Sequence, residues 1–166
     1  MDIDDLVARE RIRDVVYRYA RGVDRRDYDL VRSCYHGDAT DDHGSYKGGV
    51  DGFIVWLERQ LARWSVTSHT MANVLIELHG DRARVETYAV AYHRTVPRPD
   101  TPLRDVTAGV RYVDDMSNID GTWAISRRVV VSDWVRVDAV PEGSVKPDDP
   151  YVKPRPFPHD EVYRPL

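Results

Sequence analysis

The chain has 166 residues, which is the length of one domain with its own hydrophobic core. Charged residues make up 31% and hydrophobic residues 42% of it, a balance typical of globular proteins and unlike that of disordered chains. The net charge is −4 and basic residues are dispersed among acidic ones, so a nucleic-acid partner is not expected. The single cysteine excludes an intramolecular disulfide, and no apolar run approaches the ~20 residues of a membrane span. Acidic residues follow Met1 where a secretory signal would be basic, so we expect a cytoplasmic protein without membrane contact.

The first third of the sequence predicts three helices. Over residues 4–22, apolar side chains recur at the spacing of one helical face, and Gly22 is a candidate helix stop. Asp27 is a candidate N-cap of a second, shorter helix that reaches about Tyr35. Residues 36–49 are rich in glycine and aspartate and predict a loop with at most a short extended piece. The helical spacing returns over residues 50–62.

The rest of the chain, as far as residue 137, predicts four long antiparallel strands. Residues 66–79, 82–96, 103–117 and 122–137 are rich in β-branched and aromatic side chains, and turn residues separate them. Long strands in hairpin order after a group of helices predict an α+β fold. A strongly curved sheet then packs one face against the helices and encloses a cavity.

The C-terminal segment, residues 138–166, contains seven of the ten prolines and excludes a helix or a central strand. Two interpretations remain open for it. Termini often lack order, which favours a disordered tail. Tyr151, Phe157 and Tyr163 are a heavy apolar load for such a tail and favour an extended strap over this subunit or a neighbour.

Common metal, phosphate and nucleophile motifs are missing from the sequence. The six histidines form no close pair of the kind that holds zinc, and there is no glycine-rich phosphate loop or G-x-S-x-G motif. Cys34 lies on the apolar face of the second predicted helix, where a buried thiol is inert. We therefore expect no metal and no cofactor, which leaves histidine, aspartate and tyrosine for acid-base chemistry.

Three motifs carry a resemblance to a known family. Residues 18–24 have the sequence RYARGVD, residues 68–73 have SHTMAN, and residues 120–125 have DGTWAI before Asp133 and Trp134. With the order of helices and strands, they resemble the SnoaL-like branch of the nuclear-transport-factor-2-like (NTF2-like, cystatin-like) superfamily over residues 4–137. Within it the chain is most similar to the group of scytalone dehydratase, bile-acid dehydratase and hexachlorocyclohexane dehydrochlorinase.

The resemblance implies a cone-shaped α+β fold with three N-terminal helices on the curved antiparallel sheet, and elimination of water or HCl without a cofactor. An aspartate at the end of the first helix and a histidine on the first long strand form the group's catalytic dyad. This places Asp24 and His69 in these roles, with Tyr19 as the phenol that lines the same pocket. We accordingly divide the chain into a SnoaL-like domain, residues 1–137, and a proline-rich extension, residues 138–166.

Regular geometry sets conditions on this site. Tyr19 and Asp24 are roughly 140° apart on a regular helix, so both reach one pocket only if the helix ends or bends near Gly22. On a regular strand His69, Met71, Asn73 and Leu75 share one face, which a catalytic His69 predicts to be the cavity side. In the last strand, alternation predicts two faces. One face has Trp123, Ile125, Arg127, Val129, Val131 and Asp133, and the other has Ala124, Ser126, Arg128 and Val130.

The side-chain chemistry suggests one mechanism. A histidine, whose ordinary pKa is near roughly 6.5, can act as a general base at neutral pH, which makes His69 the candidate base, and a buried Asp24 would orient it. Tyr19 would hydrogen-bond a substrate carbonyl or protonate the leaving hydroxyl, and an arginine would stabilise developing negative charge. The choice among Arg111, Arg127 and Arg128 stays open. The candidates for substrate binding are Arg111, Arg127, Tyr46, Trp56, Tyr88, Asn73 and His93, and Trp64 and Tyr112 are further pocket candidates.

Our first hypothesis is a cofactor-independent lyase, a dehydratase that acts on a small hydrophobic cyclic substrate. A steroid- or polyketide-type isomerase or cyclase is the alternative among enzymes, because it uses the same proton abstraction next to a carbonyl. A non-catalytic small-ligand binder or assembly subunit is the alternative outside enzymes, and it would need neither Asp24 nor His69. We also expect a homotrimer, partly from the resemblance and partly because a curved sheet leaves a face and edges that need covering.

Overall fold

A computed structural model describes residues 2–144 and 148–166 of the chain. Its helices are α1 (Ile3–Arg25), α2 (Tyr28–Ser33) and α3 (Val50–Leu61), and a short 3-10 turn follows at Glu161–Tyr163. Its strands are β1 (Tyr35–Asp42), β2 (Lys47–Gly49), β3 (Trp64–His79), β4 (Arg82–Thr95), β5 (Arg104–Ile119) and β6 (Thr122–Ala139). The predicted α+β class, the three helices and the four long strands are confirmed.

The strands form one six-stranded sheet in the order β2-β1-β6-β5-β4-β3. The four long strands pair antiparallel in hairpin order, as predicted. The prediction of a wholly antiparallel sheet is wrong, because β1 pairs parallel to β6. The predicted loop after the second helix is therefore a strand, although its sequence YHGDATDD has little strand propensity. Pairing with β6, nearly ninety residues away, decides its conformation.

Helix α1 packs its apolar face on the inner side of the sheet. Asp2 caps its N-terminus, and its side chain accepts a hydrogen bond from the backbone N–H of Asp5. The predicted stop at Gly22 is wrong, because the helix continues to Arg25 and ends where Arg26 adopts a left-handed conformation, with φ of 55°. Gly22 instead lets α2 approach closely, since a Cβ there would lie 2.7 Å from Cγ2 of Val31.

A β-bulge in β3 changes which residues face inward. The pairing of β3 with β4 shifts between Met71 and Val74, so one extra residue is accommodated there. His69 and Met71 are partly buried on the inner face before the shift, and Ile76 is buried on it afterwards. The predicted common face of His69, Met71, Asn73 and Leu75 is therefore wrong beyond Met71, and Leu75 is 53% exposed.

A second bulge, at Ser126 in β6, acts in the same way. The pairing with β5 shifts between the partners of Ile125 and Arg127. Ile125 and Arg128 are both buried, although strict alternation places them on opposite faces. The sequence-based division of β6 into two faces therefore fails at this point, and the shift turns Arg128 toward the core.

Part of the C-terminal segment is a strap over the end of α1. Phe157 N donates to the carbonyl oxygen of Arg25 at 2.6 Å, which satisfies one of the free carbonyls at the helix end. The guanidinium of Arg25 pairs with Asp160 at 3.2 Å, and the Tyr163 hydroxyl donates to Asp27 Oδ2 at 3.0 Å. The strap therefore lies on this subunit and holds the turn that follows Asp24.

Within residues 2–144 and 148–166, no helix is both long enough and apolar enough to cross a membrane.

Candidate active site

A cavity of about 230 Å³ lies between the helices and the inner face of the sheet. Most of its lining is apolar or aromatic, with three imidazoles and one amide among them. Ligand pockets are typically built in this way, with a few polar groups in an apolar wall. The lining residues are Tyr19, Val23, His43, Trp56, Leu57, Gln60, Leu61, Trp64, His69, Ala91, His93, Ala108, Val110, Tyr112 and Val130.

Asp24 and His69 form the predicted hydrogen-bonded pair. Oδ1 of Asp24 lies 2.7 Å from Nδ1 of His69, and Oδ2 accepts from the backbone N–H of His69 at 2.8 Å. An ionised carboxylate only accepts, so Nδ1 carries the proton in the neutral imidazole. The lone pair of His69 is then on Nε2, the ring nitrogen that does not bind Asp24, and the ring lines the cavity.

The Asp24–His69 pair forms although α1 does not end or bend at Gly22. Tyr19 and Val23 are one turn apart and both line the cavity. Asp24 is not among the lining residues, because it reaches His69 from the side of α1 that faces β3. Because α1 stays helical through Gly22, Tyr19 and Asp24 do not both line one pocket, in agreement with regular helix geometry; the expected helix end at Gly22 is what is wrong.

The environment keeps Asp24 ionised. Burial alone would raise the pKa of this carboxyl, but the hydrogen bonds and the charge interaction with His69 outweigh it, so the pKa is lowered from its usual value. A carboxylate is therefore present at neutral pH to orient the imidazole and to stabilise its protonated form.

His93 lies beside His69, with the two rings edge to face and their centroids 5.4 Å apart. Burial, and then the neighbouring His69, lower the pKa of His93 to about 4. His93 is therefore neutral at neutral pH and adds no positive charge next to His69. His93 lines the cavity, as expected for a predicted substrate-binding residue.

Two tyrosines of the cavity wall enclose a buried arginine. Arg128 is 1% exposed, and its guanidinium lies 4.1 Å from the ring centre of Tyr19 and 4.5 Å from that of Tyr112. Nε and Nη2 each donate to Asp114 at 2.7 Å, so the buried charge is paired. Arg128 does not line the cavity. Burial raises the pKa of Tyr19 well above its usual value, and the phenol keeps its proton.

The structure does not bring the two predicted binding arginines to the cavity. Arg111 lies on the outer face of the sheet, where it bridges Glu86 and Asp133. Arg127 is half exposed and pairs with Asp115, because the bulge at residue 126 turns it outward. Both assignments as cavity residues are wrong, since only Arg128 of the three arginines faces the core.

Tyr88 and Asn73 are also outside the cavity. Tyr88 is 40% exposed on the outer face, next to Arg111. Asn73 is exposed within the bulge of β3. Trp56 lines the cavity, whereas Tyr46 packs behind it with ring centres 5.9 Å apart and donates its hydroxyl to the carbonyl of Gly49. Of the predicted binding residues, Trp56 and His93 thus reach the cavity.

Among the cavity residues that the sequence analysis missed, His43 is the one with acid-base chemistry. His43 follows β1 directly, and its Nδ1 lies 2.5 Å from Oδ1 of Asp41. Asp41 is 2% exposed and also accepts a hydrogen bond from the Tyr35 hydroxyl at 2.7 Å. The only sequence signal is a histidine two residues after an aspartate, in a segment that was predicted to be a loop.

No alternative chemistry is built around the remaining candidates. Cys34 is fully buried, and burial raises the pKa of its thiol to about 11, so it is not a nucleophile. Among the residues that the structure describes, no three histidine, cysteine, aspartate or glutamate side chains gather as metal ligands.

Comparison with known proteins defines the family. Residues 4–129 match the SnoaL-like domain, and the chain belongs to this family.

Similar solved structures include a Novosphingobium aromaticivorans protein provisionally named scytalone dehydratase. It has 20% identity and a TM-score of 0.71, with coverage of 95% of this chain and 97% of that one. A hexachlorocyclohexane dehydrochlorinase (LinA) Type2 has 19% identity, a TM-score of 0.75 and coverage of 89% and 99%. The hexachlorocyclohexane dehydrochlorinase LinA-type3 from Novosphingobium barchaimii has 20% identity and a TM-score of 0.72, with coverage of 93% of this chain and 100% of that one. No curated protein matches the chain.

Proposed function

We propose that the chain is a cofactor-independent lyase of the dehydratase type, which eliminates water from a small apolar ring substrate. The observation that carries the proposal is the cavity imidazole of His69 with its Nδ1 held by the carboxylate of Asp24. A neutral imidazole in this tautomer is a general base with its lone pair on Nε2. A ligand binder or assembly subunit would have no use for such a buried histidine hydrogen-bonded to a carboxylate.

The elimination begins at carbon. Nε2 of His69 removes the proton next to a carbonyl group, and the electron pair of the C–H bond forms the new C=C bond. The C–O bond to the hydroxyl breaks, and the hydroxyl leaves as water once it has gained a proton. Asp24 stabilises the imidazolium that forms on His69.

Tyr19 donates a hydrogen bond to the substrate carbonyl. Its raised pKa keeps the phenol protonated, and a protonated phenol stabilises negative charge that develops on the oxygen of an enolate. The guanidinium of Arg128 lies 4.1 Å from the centre of this ring and fixes its position. Trp56 and Trp64 supply apolar walls.

Cavity size limits the substrate. Pockets for drug-sized ligands measure roughly 300–1,000 Å³. The cavity here has about 230 Å³, which favours a substrate of one or two rings. The same carbonyl-adjacent proton abstraction would serve an isomerase, and the products separate the two activities.

The base is tested with nitrobenzisoxazole, whose ring opens when a base removes its C–H proton. The electron pair of the C–H bond forms a nitrile, the N–O bond breaks, and the ring oxygen becomes a coloured phenolate without needing an acid. We expect His69→Ala to lose about 10²–10⁴-fold in rate. His79→Gln is the matched control, because His79 is an exposed histidine outside the cavity. Equal rates for wild type and His69→Ala would contradict the proposal, as would a wild-type rate no faster than that of free imidazole.

Dehydration is tested with β-hydroxytetralone, a bicyclic β-hydroxy ketone. Loss of water gives naphthol, which is followed by fluorescence. Naphthol formation that depends on His69 supports the lyase. An isomer without loss of water would instead indicate the isomerase.

A further inference from the structure

We propose that His43 is the general acid that protonates the leaving hydroxyl, so that the cavity contains an acid histidine and a base histidine. This inference rests on the proposed function and adds a second catalytic residue to it. It assigns to His43 the proton transfer to the leaving group that the sequence analysis allowed for Tyr19.

The first argument is that His43 repeats the construction of His69. Both rings line the same cavity, and each holds a carboxylate at Nδ1, at 2.5 Å from Asp41 and 2.7 Å from Asp24. In both cases Nε2 is the nitrogen without a carboxylate partner. Nε2 of His43 is therefore free to donate a proton to a ligand in the cavity.

The second argument is that the ring is held in place. Its centre lies 4.9 Å from that of Phe53 in a stacked arrangement, 5.5 Å from that of Trp56 and 6.3 Å from that of Tyr112. The side chain is 17% exposed, and Asp41 is completely buried. A histidine that served only to fill space would not require a buried carboxylate.

The third argument is the charge around His43. Asp41 from β1 is the carboxylate in direct contact, while α3 contributes only the uncharged Phe53 and Trp56, and β5 contributes the phenol of Tyr112. Asp41 at Nδ1 stabilises the imidazolium form of His43 before it gives its proton, as Asp24 stabilises the imidazolium that forms on His69.

The arginine behind this site does not cancel that effect. Nη1 of Arg128 lies 3.4 Å from the Tyr35 hydroxyl, which in turn donates to Asp41. Arg128 therefore approaches Asp41 only through a phenol, and its charge is already paired with Asp114. His43 therefore contributes the ring nitrogen that contacts Asp41 directly.

The fourth argument is that Tyr19 is poorly suited to be the acid. Its pKa is raised well above the usual value of a phenol by burial. Proton donation is most effective when the pKa of the acid lies near the working pH, which describes an imidazolium better than a buried phenol. Tyr19 then only donates a hydrogen bond to the substrate carbonyl, while His69 removes the proton and His43 protonates the hydroxyl.

The proton balance closes over one turnover. Nε2 of His69 gains the proton from carbon, and Nε2 of His43 gives a proton to the hydroxyl, which leaves as water. The two imidazoles end in the opposite protonation states, and solvent resets them through the cavity opening.

The two probes separate acid from base. β-Hydroxytetralone loses a poor leaving group and needs an acid, whereas the phenolate that forms when nitrobenzisoxazole opens needs no proton. For His43→Gln we expect the loss of rate on β-hydroxytetralone to exceed the loss on nitrobenzisoxazole by about 10²-fold or more. His69→Ala loses both reactions, and His79→Gln is again the control.

The pH profile gives a second readout. Wild-type kcat/KM on β-hydroxytetralone should fall at both low and high pH, and on nitrobenzisoxazole only at low pH. His43→Gln and the positioning variant Asp41→Asn should lose or shift the fall at high pH. Equal losses on both probes, or an unchanged high-pH limb in His43→Gln, would overturn the inference while His69 remains the base. Failure of His69→Ala to slow nitrobenzisoxazole would overturn the proposed function itself.

Discussion

The carboxylate of Asp24 binds His69 twice, once at Nδ1 and once at the backbone N–H, at 2.7 and 2.8 Å. Both partners are donors, so both oxygens of the carboxylate are used as acceptors. One side chain at the end of α1 thereby fixes both the ring and the main chain of a residue on β3. The strap at residues 155–163 and the left-handed Arg26 hold the helix end that carries this side chain.

We predict that Asp24→Asn abolishes the base function while the fold is kept. Asparagine has one acceptor oxygen and one donor amide, so it cannot accept from both N–H groups. If its oxygen accepts from the backbone, its NH₂ faces Nδ1 and favours the tautomer with the proton on Nε2, where the base needs a lone pair. The expected loss in kcat on nitrobenzisoxazole is about 10²–10⁴-fold, with KM little changed because Asp24 does not line the cavity.

The control for this variant is Asp51→Asn, which removes an exposed carboxylate on α3. Nitrogen NMR of the imidazole reports the tautomer of His69 directly. A wild-type kcat in Asp24→Asn, or a tautomer that does not change, would contradict the role of Asp24.

We predict that His93 makes the stability of the protein depend on pH between about 4 and about 6.5. In the unfolded chain His93 binds a proton near pH ~6.5, but in the folded protein only near 4. The unfolded state therefore binds more protons in this window, and the free energy of unfolding falls as the pH decreases through it. Because the ring is only partly buried, we expect an effect of about 2–3 kcal/mol.

Urea unfolding of wild type and His93→Gln at several pH values measures this effect. The variant should lose the dependence between pH about 4 and about 6.5, whereas the exposed-site control His79→Gln should keep it. Asp24 acts in a different window, since its lowered pKa removes stability only as the pH falls below the usual carboxyl range of about 4. Identical pH profiles for wild type and His93→Gln would refute the prediction.

We predict that Gly22→Ala destabilises the protein, although alanine is the better helix former by about 1 kcal/mol. The new Cβ would lie 2.7 Å from Val31 Cγ2, 3.0 Å from Val31 N and 3.1 Å from the carbonyl oxygen of Asp27. Two of these neighbours are backbone atoms that cannot rotate away, so α2 has to move. Overpacking of this kind costs about 1–3 kcal/mol.

The midpoint of urea unfolding measures the effect, and Gly37→Ala is the matched control because nothing lies within 4 Å of its added Cβ. A variant Gly22→Ala as stable as wild type would show that α2 moves without a loss of stability.

The close approach at Gly22 also explains why the sequence suggested a helix end there. Glycine favours helix ends, but a close approach between two helices selects it equally, and one sequence does not separate the two causes.

Local patterns were sufficient for the four long strands, and the resemblance to the SnoaL-like family supplied the pairing of Asp24 with His69. They failed where residues distant in sequence decide the outcome. The bulge at Ser126 turns Arg128 inward and Arg127 outward, and alternation contains no signal for the extra residue. Likewise Asp41 is buried because β1 lies beside β6, where its register partner is Arg128. His43 could be recognised as a cavity residue only once that pairing was known.

We predict that the protein is a homotrimer, and that the exposed end of β6 lies in the interface. Val135 and Val137 are 59% and 52% exposed. By register, Val135 pairs with the cavity residue Ala108, so this apolar surface continues the inner face of the sheet beyond the cavity. An apolar patch of this kind on a soluble monomer is usually covered by a partner.

A Val135→Glu, Val137→Glu double variant should therefore shift sedimentation from the trimer to the monomer, because two carboxylates would be desolvated in each interface. Val152→Glu is the control, since Val152 is 81% exposed in the C-terminal segment and already faces solvent. A wild-type protein that sediments as a monomer, or a double variant that stays trimeric, would contradict the prediction. Loss of the trimer should also open the adjacent end of the cavity, so KM for β-hydroxytetralone should rise more than kcat falls.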